Sequence, residues 1–197
     1  MTRVPVEIEE RNVTGVDAIA EIPIAFEVDR VFIVERRADG ELTLLEATAA
    51  RSFVKDYDRI PGNAPSQWSD VFDLSNWGLL TAKRAGELVG CVLIAFDTPD
   101  LDLLAGRGDI AAIWDIRVRP EERGQGVGTA LMRAAEGWAR AMGCSELMVE
   151  TQNINVGACR LYERSGFQLR EADAEAYPDF PDETQLIWTK HLTRAAA

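Results

Sequence analysis

The stretch Arg119–Met132, "RPEERGQGVGTALM", places three glycines in the five positions 124 to 128 and then continues into an amphipathic, helix-like run. Glycine adopts backbone dihedral angles that other residues avoid, and without a Cβ its N–H can approach a ligand closely. The first turn of a helix adds N–H donors and the positive end of the helix dipole, which favour an anion. We therefore interpret this stretch as a pyrophosphate-binding turn, with a simple tight turn as the alternative.

The segments around this turn predict a sheet flanked by helices. Apolar residues recur at three- and four-residue spacings after the turn, and Gly143 follows the last of them, which is typical of a helix with a left-handed C-cap. The predicted elements are a hairpin over 77–97, a strand over 109–118, a helix over 126–142, a strand over 145–151, a helix over 156–165 and two final strands within 167–172 and 183–192. This order indicates an α/β or mixed α+β fold with one central sheet.

The N-terminal third is less regular. The segment 6–10 alternates like an edge strand, and 15–26 is apolar enough for a helix or an irregular segment. Asp39-Gly40 lies between two apolar runs, which is a signal for a hairpin. Residues 55–76 contain Pro and Gly with little periodicity, which predicts a long loop of the kind that is usually functional or mobile.

Composition excludes several classes of function. The chain has 33 acidic and 21 basic residues and a net charge of −12, which argues against broad nucleic-acid binding and permits cationic substrates. A single histidine, His191, excludes a histidine-based triad or a multi-histidine metal site, so we expect no metal. Three cysteines without a C-x-x-C pair predict reduced core residues. Without a membrane-length apolar run or a signal-peptide pattern, we expect a cytoplasmic protein with no membrane partner.

Three kinds of anion site compete for the glycine turn. A P-loop requires Gly-Lys-Ser/Thr, but Gly128 is followed by Thr129 and Ala130. A dinucleotide-binding turn requires G-x-G-x-x-G and an acidic residue about 20 positions later. Gly124 and Gly126 fit that pattern, and Glu150 resembles the acid, but Thr129 occupies the third glycine position.

The third pattern fits best. Arg123–Gly128, "RGQGVG", matches the R/Q-x-x-G-x-G/A signature of the GCN5-related N-acetyltransferases, and "NINVGACRLYERSGF" at 153–167 is similar to their second cofactor motif. The resemblance covers roughly 77–190. The length of 197 residues suits one domain over 1–197, and the resemblance divides it into a variable acceptor-side half at 1–76 and an acetyl-CoA-binding core at 77–190. The resemblance also implies a central mixed sheet in which the parallel strands 111–118 and 145–151 splay apart around acetyl-CoA.

The resemblance also assigns residues to the cosubstrate. The amides of Gln125 to Thr129 would bind the pyrophosphate, and backbone groups of the first strand would bind the pantetheine arm. The N–H of Ile116 would polarise the thioester carbonyl. Asn155 would bond the pantetheine region, with helix capping as its alternative role. The expected cosubstrate-binding residues are Ile116, Val118, Arg123, Gly124, Gln125, Gly126, Val127, Gly128, Thr129 and Asn155. Arg117 and Arg119 would complete a small basic patch around Arg123.

Acetyl transfer to an amine requires a neutral amine, which predicts a general base or a water relay leading to one. Asp115 on the first strand is the favoured candidate, with pairing to Arg117 or exposure to solvent as the alternative. Glu150 is the second candidate, with anchoring of the substrate amine or simple solvation as its alternative. Tyr162 occupies the position of the family's tyrosine and would protonate the departing CoA thiolate. Its alternative is a buried tyrosine that anchors the helix to the sheet.

A narrower resemblance concerns the acceptor. "KDYD" at 55–58, "NWG" at 76–78 and "ETQNINVGACRLYERSGF" at 150–167 are similar to the streptothricin acetyltransferase branch, which acetylates an amine of the antibiotic's β-lysine tail. The implied function is acetyl transfer to a primary amine of a small cationic molecule, such as a streptothricin-like antibiotic or a polyamine. A non-catalytic CoA-binding sensor or a protein N-acetyltransferase is the alternative. Family members are often dimers, so a homodimer is expected.

Overall fold

The computed structural model describes residues 4–193, which form two compact units. The first unit comprises the described residues of Met1–Ile24, Asp56–Leu147 and His191–Ala197, and the second comprises Ala25–Lys55 and Met148–Lys190. The strands are β1 (Glu7–Arg11), β2 (Phe26–Arg36), β3 (Leu42–Lys55), β4 (Gly78–Arg84), β5 (Glu87–Phe96), β6 (Ile110–Val118), β7 (Glu146–Gln152), β8 (Gln168–Asp173) and β9 (Gln185–His191), and the α-helices are α1 (Val127–Ala141) and α2 (Val156–Arg164).

The first unit contains an antiparallel sheet in the order β1-β4-β5-β6, with α1 packed on it. The hairpin predicted over 77–97 turns at Arg84–Glu87 and joins β4 to β5, because Ala85 and Gly86 both adopt left-handed dihedral angles there. Leu131, Met132 and Ala135 form the buried stripe of α1. The helix then ends at Gly143, whose φ of 83° is the left-handed conformation that the sequence predicts.

Residues 55–76 differ from the predicted loop. The strand β3 continues to Lys55, and short 3-10 helices follow at Tyr57–Arg59 and Pro65–Asp70. The second of these helices buries Pro65 and Trp68, so this segment has its own apolar anchor. The apolar segment near the N-terminus is a 3-10 helix over Val13–Glu21 that buries Ile19.

The second unit contains the β2–β3 hairpin, the antiparallel pair β8–β9, α2, and the part of β7 that begins at Met148. The hairpin turns at Asp39-Gly40 as predicted, with Gly40 at a φ of 89°. Asn155 caps α2 through its side chain, and Gly166 ends the helix at a φ of 83°. Sheets and helices in both units confirm the mixed α+β class. The splay between the strands at 111–118 and 145–151, and the division into an acceptor-side half and a core, stay predictions.

Within residues 4–193, no helix combines the length and the apolar character needed to cross a membrane.

Gly90 on β5 packs closely against β6 and the first residue of α1, so a substitution at this position tests that packing. A Cβ at this position would lie 2.9 Å from the carbonyl oxygen of Arg117 and 2.9 Å from Cγ1 of Val127. We expect Gly90→Ala to lower the free energy of unfolding by about 1–3 kcal/mol through overpacking, measured by urea denaturation. Gly137→Ala is the control, because Gly137 lies in α1 with open space around it and alanine should stabilise the helix by about 0.5–1 kcal/mol. Equal stability of the two variants would contradict this account.

Candidate active site

The strand β6 contains a β-bulge at Trp114. Leu93 and Ile94 are consecutive on β5, but their partners on β6 are Asp115 and Ile113. Trp114 is therefore an extra residue in β6. Bulges interrupt the hydrogen-bond ladder, re-aim neighbouring side chains and are frequent beside active sites.

Hydrogen-bond alternation fixes the direction of the backbone groups after this bulge. The N–H of Arg119 donates to the carbonyl of Val89 across the pair β5–β6, with an N···O distance of 2.9 Å. Because hydrogen-bonded and non-hydrogen-bonded pairs alternate in an antiparallel ladder, Val118 and Ile116 direct their N–H and C=O groups away from β5. These two residues, which the sequence assigns to pantetheine and the thioester, thus lie with their polar backbone groups on the other edge of β6.

The glycine turn has the geometry of an anion cradle. Gly124 and Gly126 have φ angles of 70° and 85°, and no atom lies within 4 Å of a Cβ built on either. Gly126 caps the 15-residue helix α1 without a side-chain hydrogen bond, and its carbonyl accepts the first helical bond from Ala130. The N–H groups of Val127, Gly128 and Thr129 therefore have no acceptor within the helix. Open space, donors without an acceptor in the helix and the helix dipole together fit the pyrophosphate of acetyl-CoA.

The three arginines near the turn do not form one basic patch. The Nε of Arg123 donates to the carbonyl of Val118 at 3.0 Å, and its Nη2 donates to that of Pro23 at 3.3 Å. Arg119 donates to the carbonyl of Leu88. The side chain of Arg117 is 0% exposed, because it points into the protein rather than toward the turn. The predicted basic patch is therefore wrong for Arg117, because its buried guanidinium is engaged by the carboxylates of Asp115 and Asp58.

Asp115 pairs with this buried arginine. Its two carboxylate oxygens accept from Nε and Nη2 of Arg117 at 2.9 and 3.0 Å. Burial raises the pKa of Asp115, and the two bonds from Arg117 oppose that rise. Arg117 also donates to both carboxylate oxygens of Asp58, at 2.7 and 2.8 Å. The pairing that the sequence offers as the alternative to a catalytic base is the arrangement that the structure contains.

An aromatic cluster surrounds the bulge, and the sequence analysis did not identify it. Trp114 makes edge contacts with Trp68, Phe72 and Trp77, with ring centroids 5.3 to 6.2 Å apart. Trp77 is further fixed by a hydrogen bond from its Nε1 to Oγ1 of Thr98 at 2.7 Å. The cluster packs the 65–72 segment against β6. The available signal was the set of aromatic residues in a segment that otherwise resembled a loop.

The second unit contains Tyr162 and Asn155. Tyr162 on α2 is buried, with its ring 6.1 Å from that of Phe167 and 6.3 Å from that of Trp188. The Oδ1 of Asn155 accepts from the N–H of Ala158 at 3.2 Å, which is the capping role. The family tyrosine is thus held in one orientation by aromatic packing, and the asparagine defines the start of its helix.

Glu150 has a partner that the sequence analysis missed. The hydroxyl of Tyr177, from the segment between β8 and β9, donates to Oε1 of Glu150 at 2.6 Å and accepts from Nε2 of Gln152 at 2.9 Å. Burial and the neighbouring Glu150 carboxylate both raise the pKa of Tyr177. The tyrosine therefore stays protonated and orients the carboxylate.

Neither the cysteines nor a metal site offers catalytic chemistry in the described residues. Cys91, Cys144 and Cys159 are free and buried, and burial raises the pKa of Cys144 to about 11 and that of Cys159 to about 12, so these thiols are poor nucleophiles. The part of the chain that the structure describes contains no group of three or more His, Cys, Asp or Glu residues that could hold a metal ion.

A cleft of about 460 Å³ lies in the second unit between the β2–β3 hairpin and the start of α2. Its two arginines, Arg30 and Arg160, both pair with Glu46. Two guanidinium groups therefore share one carboxylate, and Glu27 and Asp29 are the other charged residues of the lining.

Comparison with known proteins agrees with this geometry. A family model described as "Acetyltransferase (GNAT) family" matches residues 45–167. The chain is 29% identical to a streptothricin acetyltransferase of Streptomyces lavendulae over 161 residues, which cover 82% of this chain and 80% of that protein. It is 31% identical to an IAA acetyltransferase of Azospirillum brasilense over 151 residues, which cover 73% of this chain and 91% of that protein.

A solved structure shares the fold. A protein from Bacillus anthracis, solved in complex with acetyl coenzyme A, matches with a TM-score of 0.74 and 23% identity over 95% of this chain and 99% of that chain. The family model covers more than half of the 197 residues. The chain therefore belongs to the acetyltransferase (GNAT) family and is an acetyl-CoA-dependent N-acetyltransferase.

Proposed function

We propose that the acceptor is a primary amine of a small cationic molecule of the streptothricin type. The observation that carries this proposal is the match to the Streptomyces streptothricin acetyltransferase, which extends over 82% of this chain rather than over the cosubstrate motifs alone. The net charge of −12 supports it, because an acidic protein attracts a polycationic acceptor from a distance.

The proposed reaction is direct attack of the amine on the thioester. The amine nitrogen bonds to the acetyl carbonyl carbon, the carbon–sulfur bond breaks, and the nitrogen loses one proton while the thiolate gains one. The Ile116 N–H, on the edge of β6 that does not face β5, would donate to the carbonyl oxygen as it gains negative charge. The amides of Gln125 to Thr129, together with Gly124 and Arg123, would hold the pyrophosphate.

The proton transfers require an acid and a base. We assign the acid role to Tyr162, because aromatic packing fixes its ring and a phenol is a suitable donor to a thiolate. Glu150 is the stronger candidate for receiving the amine proton, directly or through water, since Tyr177 orients it. Asp115 has both oxygens engaged by Arg117 and is the weaker candidate.

The remaining expectations concern assembly and location. Three free, buried cysteines fit a reducing compartment such as the cytoplasm. A homodimer is proposed from the family resemblance, and light scattering of the purified chain measures it.

An acceptor screen tests the proposed function. Release of CoA thiol from acetyl-CoA would be followed with streptothricin, spermidine, a lysine peptide and IAA, the acceptor in the name of the Azospirillum relative. We expect streptothricin to give a kcat/KM at least about tenfold above each of the others, a difference of about 1.4 kcal/mol in transition-state binding. A preference for the peptide would favour a protein acetyltransferase. Binding of acetyl-CoA without thiol release in any sample would favour the non-catalytic sensor.

The role of Tyr162 is tested by Tyr162→Phe. We expect kcat to fall by at least about tenfold, because general acid catalysis typically contributes about 10²–10⁴-fold. Tyr177→Phe is the matched control: it also removes one phenol of the second unit, but it keeps the proposed acid and removes only the bonds to Glu150 and Gln152, so kcat should fall less than with Tyr162→Phe. Steady-state kinetics and calorimetric affinity for acetyl-CoA separate the two effects. An unchanged kcat for Tyr162→Phe would eliminate the acid role.

A further inference from the structure

Arg117 is a buried cation with an unusually complete set of partners. Its side chain is 0% exposed and forms two bonds to Asp115 and two to Asp58. Nη1 also donates to the carbonyl of Ile22 at 3.2 Å. A buried guanidinium is stable only if carboxylates balance its charge and acceptors satisfy its N–H groups. Because Arg117 needs all of these partners, it holds them in fixed positions.

The five bonds join three separate segments. Asp115 and Arg117 belong to β6, Ile22 follows the 3-10 helix Val13–Glu21, and Asp58 lies in the 3-10 helix Tyr57–Arg59. The aromatic cluster around Trp114 attaches the following 65–72 segment to the same strand. The segment 57–72 is thus fastened to β6 on both sides of Asp115.

The charges of this group are not balanced. One guanidinium faces two carboxylates, which leaves one negative charge. Asp115 is 4% exposed and Arg117 is 0% exposed, whereas Asp58 is 27% exposed. The excess charge can therefore meet a ligand only at Asp58.

We propose that Asp58 binds an ammonium group of the acceptor and that Arg117 is the positioning residue that fixes Asp58 against the thioester-binding strand. This inference rests on the proposed function, because it takes a cationic amine as the acceptor. It assigns to Asp115 a part in acceptor placement through Arg117 instead of proton transfer.

The kinetic test compares Asp58→Asn with Asp56→Asn, using streptothricin as the probe. Asp56 lies two residues away with a matched side-chain exposure of 26%, but its carboxylate pairs with Arg59. Its Oδ1 also accepts from the N–H of Asp58, a capping bond that the amide oxygen of asparagine can accept as well. We expect Asp58→Asn to raise KM for streptothricin at least tenfold with kcat within threefold and an unchanged Kd for acetyl-CoA. Asp56→Asn should change KM less than twofold. Equal effects of the two variants would mean general attraction by an acidic surface, and an unchanged KM for Asp58→Asn would exclude the ammonium site.

The positioning role is tested without any acceptor. Arg59 is 86% exposed, so trypsin can reach it once the 57–59 helix loosens. Lysine cannot reproduce the double fork of a guanidinium. We therefore expect Arg117→Lys to raise the rate of cleavage after Arg59 at least fivefold and to raise KM for streptothricin, with acetyl-CoA affinity retained. Cleavage at the wild-type rate would overturn the positioning role.

Asp58→Asn provides the second proteolysis variant if Arg117→Lys does not fold, since Asp58 is partly exposed. It weakens the same attachment, so faster cleavage after Arg59 is expected here too, and a wild-type rate would again overturn the role. If no amine in the acceptor screen releases thiol, the proposed acceptor class is rejected, but the proteolysis experiment still tests whether Arg117 fixes Asp58. A successful screen with no change of KM in Asp58→Asn would remove only the ammonium site.

Discussion

The start of α1 imposes the constraint on which the cosubstrate site depends. A helix cannot satisfy its own first N–H groups, and Gly126 caps this one in a left-handed conformation without offering a side-chain oxygen. The donors of Val127 to Thr129 must therefore be satisfied from outside the helix. In a protein with a net charge of −12, this turn is the place where we expect an anion to bind. Its support is equally specific, because Gly90 allows β5 to approach both β6 and the first residue of α1.

The second constraint is the two-residue alternation of β6. It directs the backbone groups of Ile116 and Val118 away from β5, and the bulge at Trp114 changes the register immediately before them. The side chains of β6 make contacts with other segments of the first unit. Trp114 anchors an aromatic cluster, and Arg117 holds Asp58 from a distant segment. One strand thus combines the expected thioester donor with the attachment of the segment that we propose to bind the acceptor.

Sequence predicted the features that depend on local chemistry. The left-handed conformation occurs at Gly40 and Gly86 in the predicted hairpins and at Gly143 and Gly166 after the predicted helices, and each of these signals is visible in a few consecutive residues. The resemblance also assigned the cosubstrate to the glycine turn, and that assignment stays a prediction. Each of these signals spans fewer than about ten positions, so no knowledge of the tertiary structure was needed.

The contacts that sequence could not predict join residues far apart in the chain. The bonds between Arg117 and Asp58 link positions 59 residues apart, and no periodicity reports such a pair. The sequence analysis placed Arg117 in a basic patch because it is near the glycine turn in sequence. In the structure its side chain is buried and points into the protein instead. The order in 55–76 was missed for a similar reason, since Trp68 and Phe72 are ordered by Trp114 rather than by their own segment.

Binding of the acetyl-CoA pyrophosphate by the amides at the start of α1 can be measured with a pair of glycine variants. Gly126 and Gly143 have nearly the same φ, 85° and 83°, with open space around each, but they lie at opposite ends of α1. Valine at either position introduces similar backbone strain, of the order of 1–3 kcal/mol. Isothermal calorimetry of acetyl-CoA binding should show at least about hundredfold weaker affinity for Gly126→Val, a loss of about 2.7 kcal/mol, and near wild-type affinity for Gly143→Val. Wild-type affinity in a folded Gly126→Val protein, or equal losses in both variants, would contradict the account.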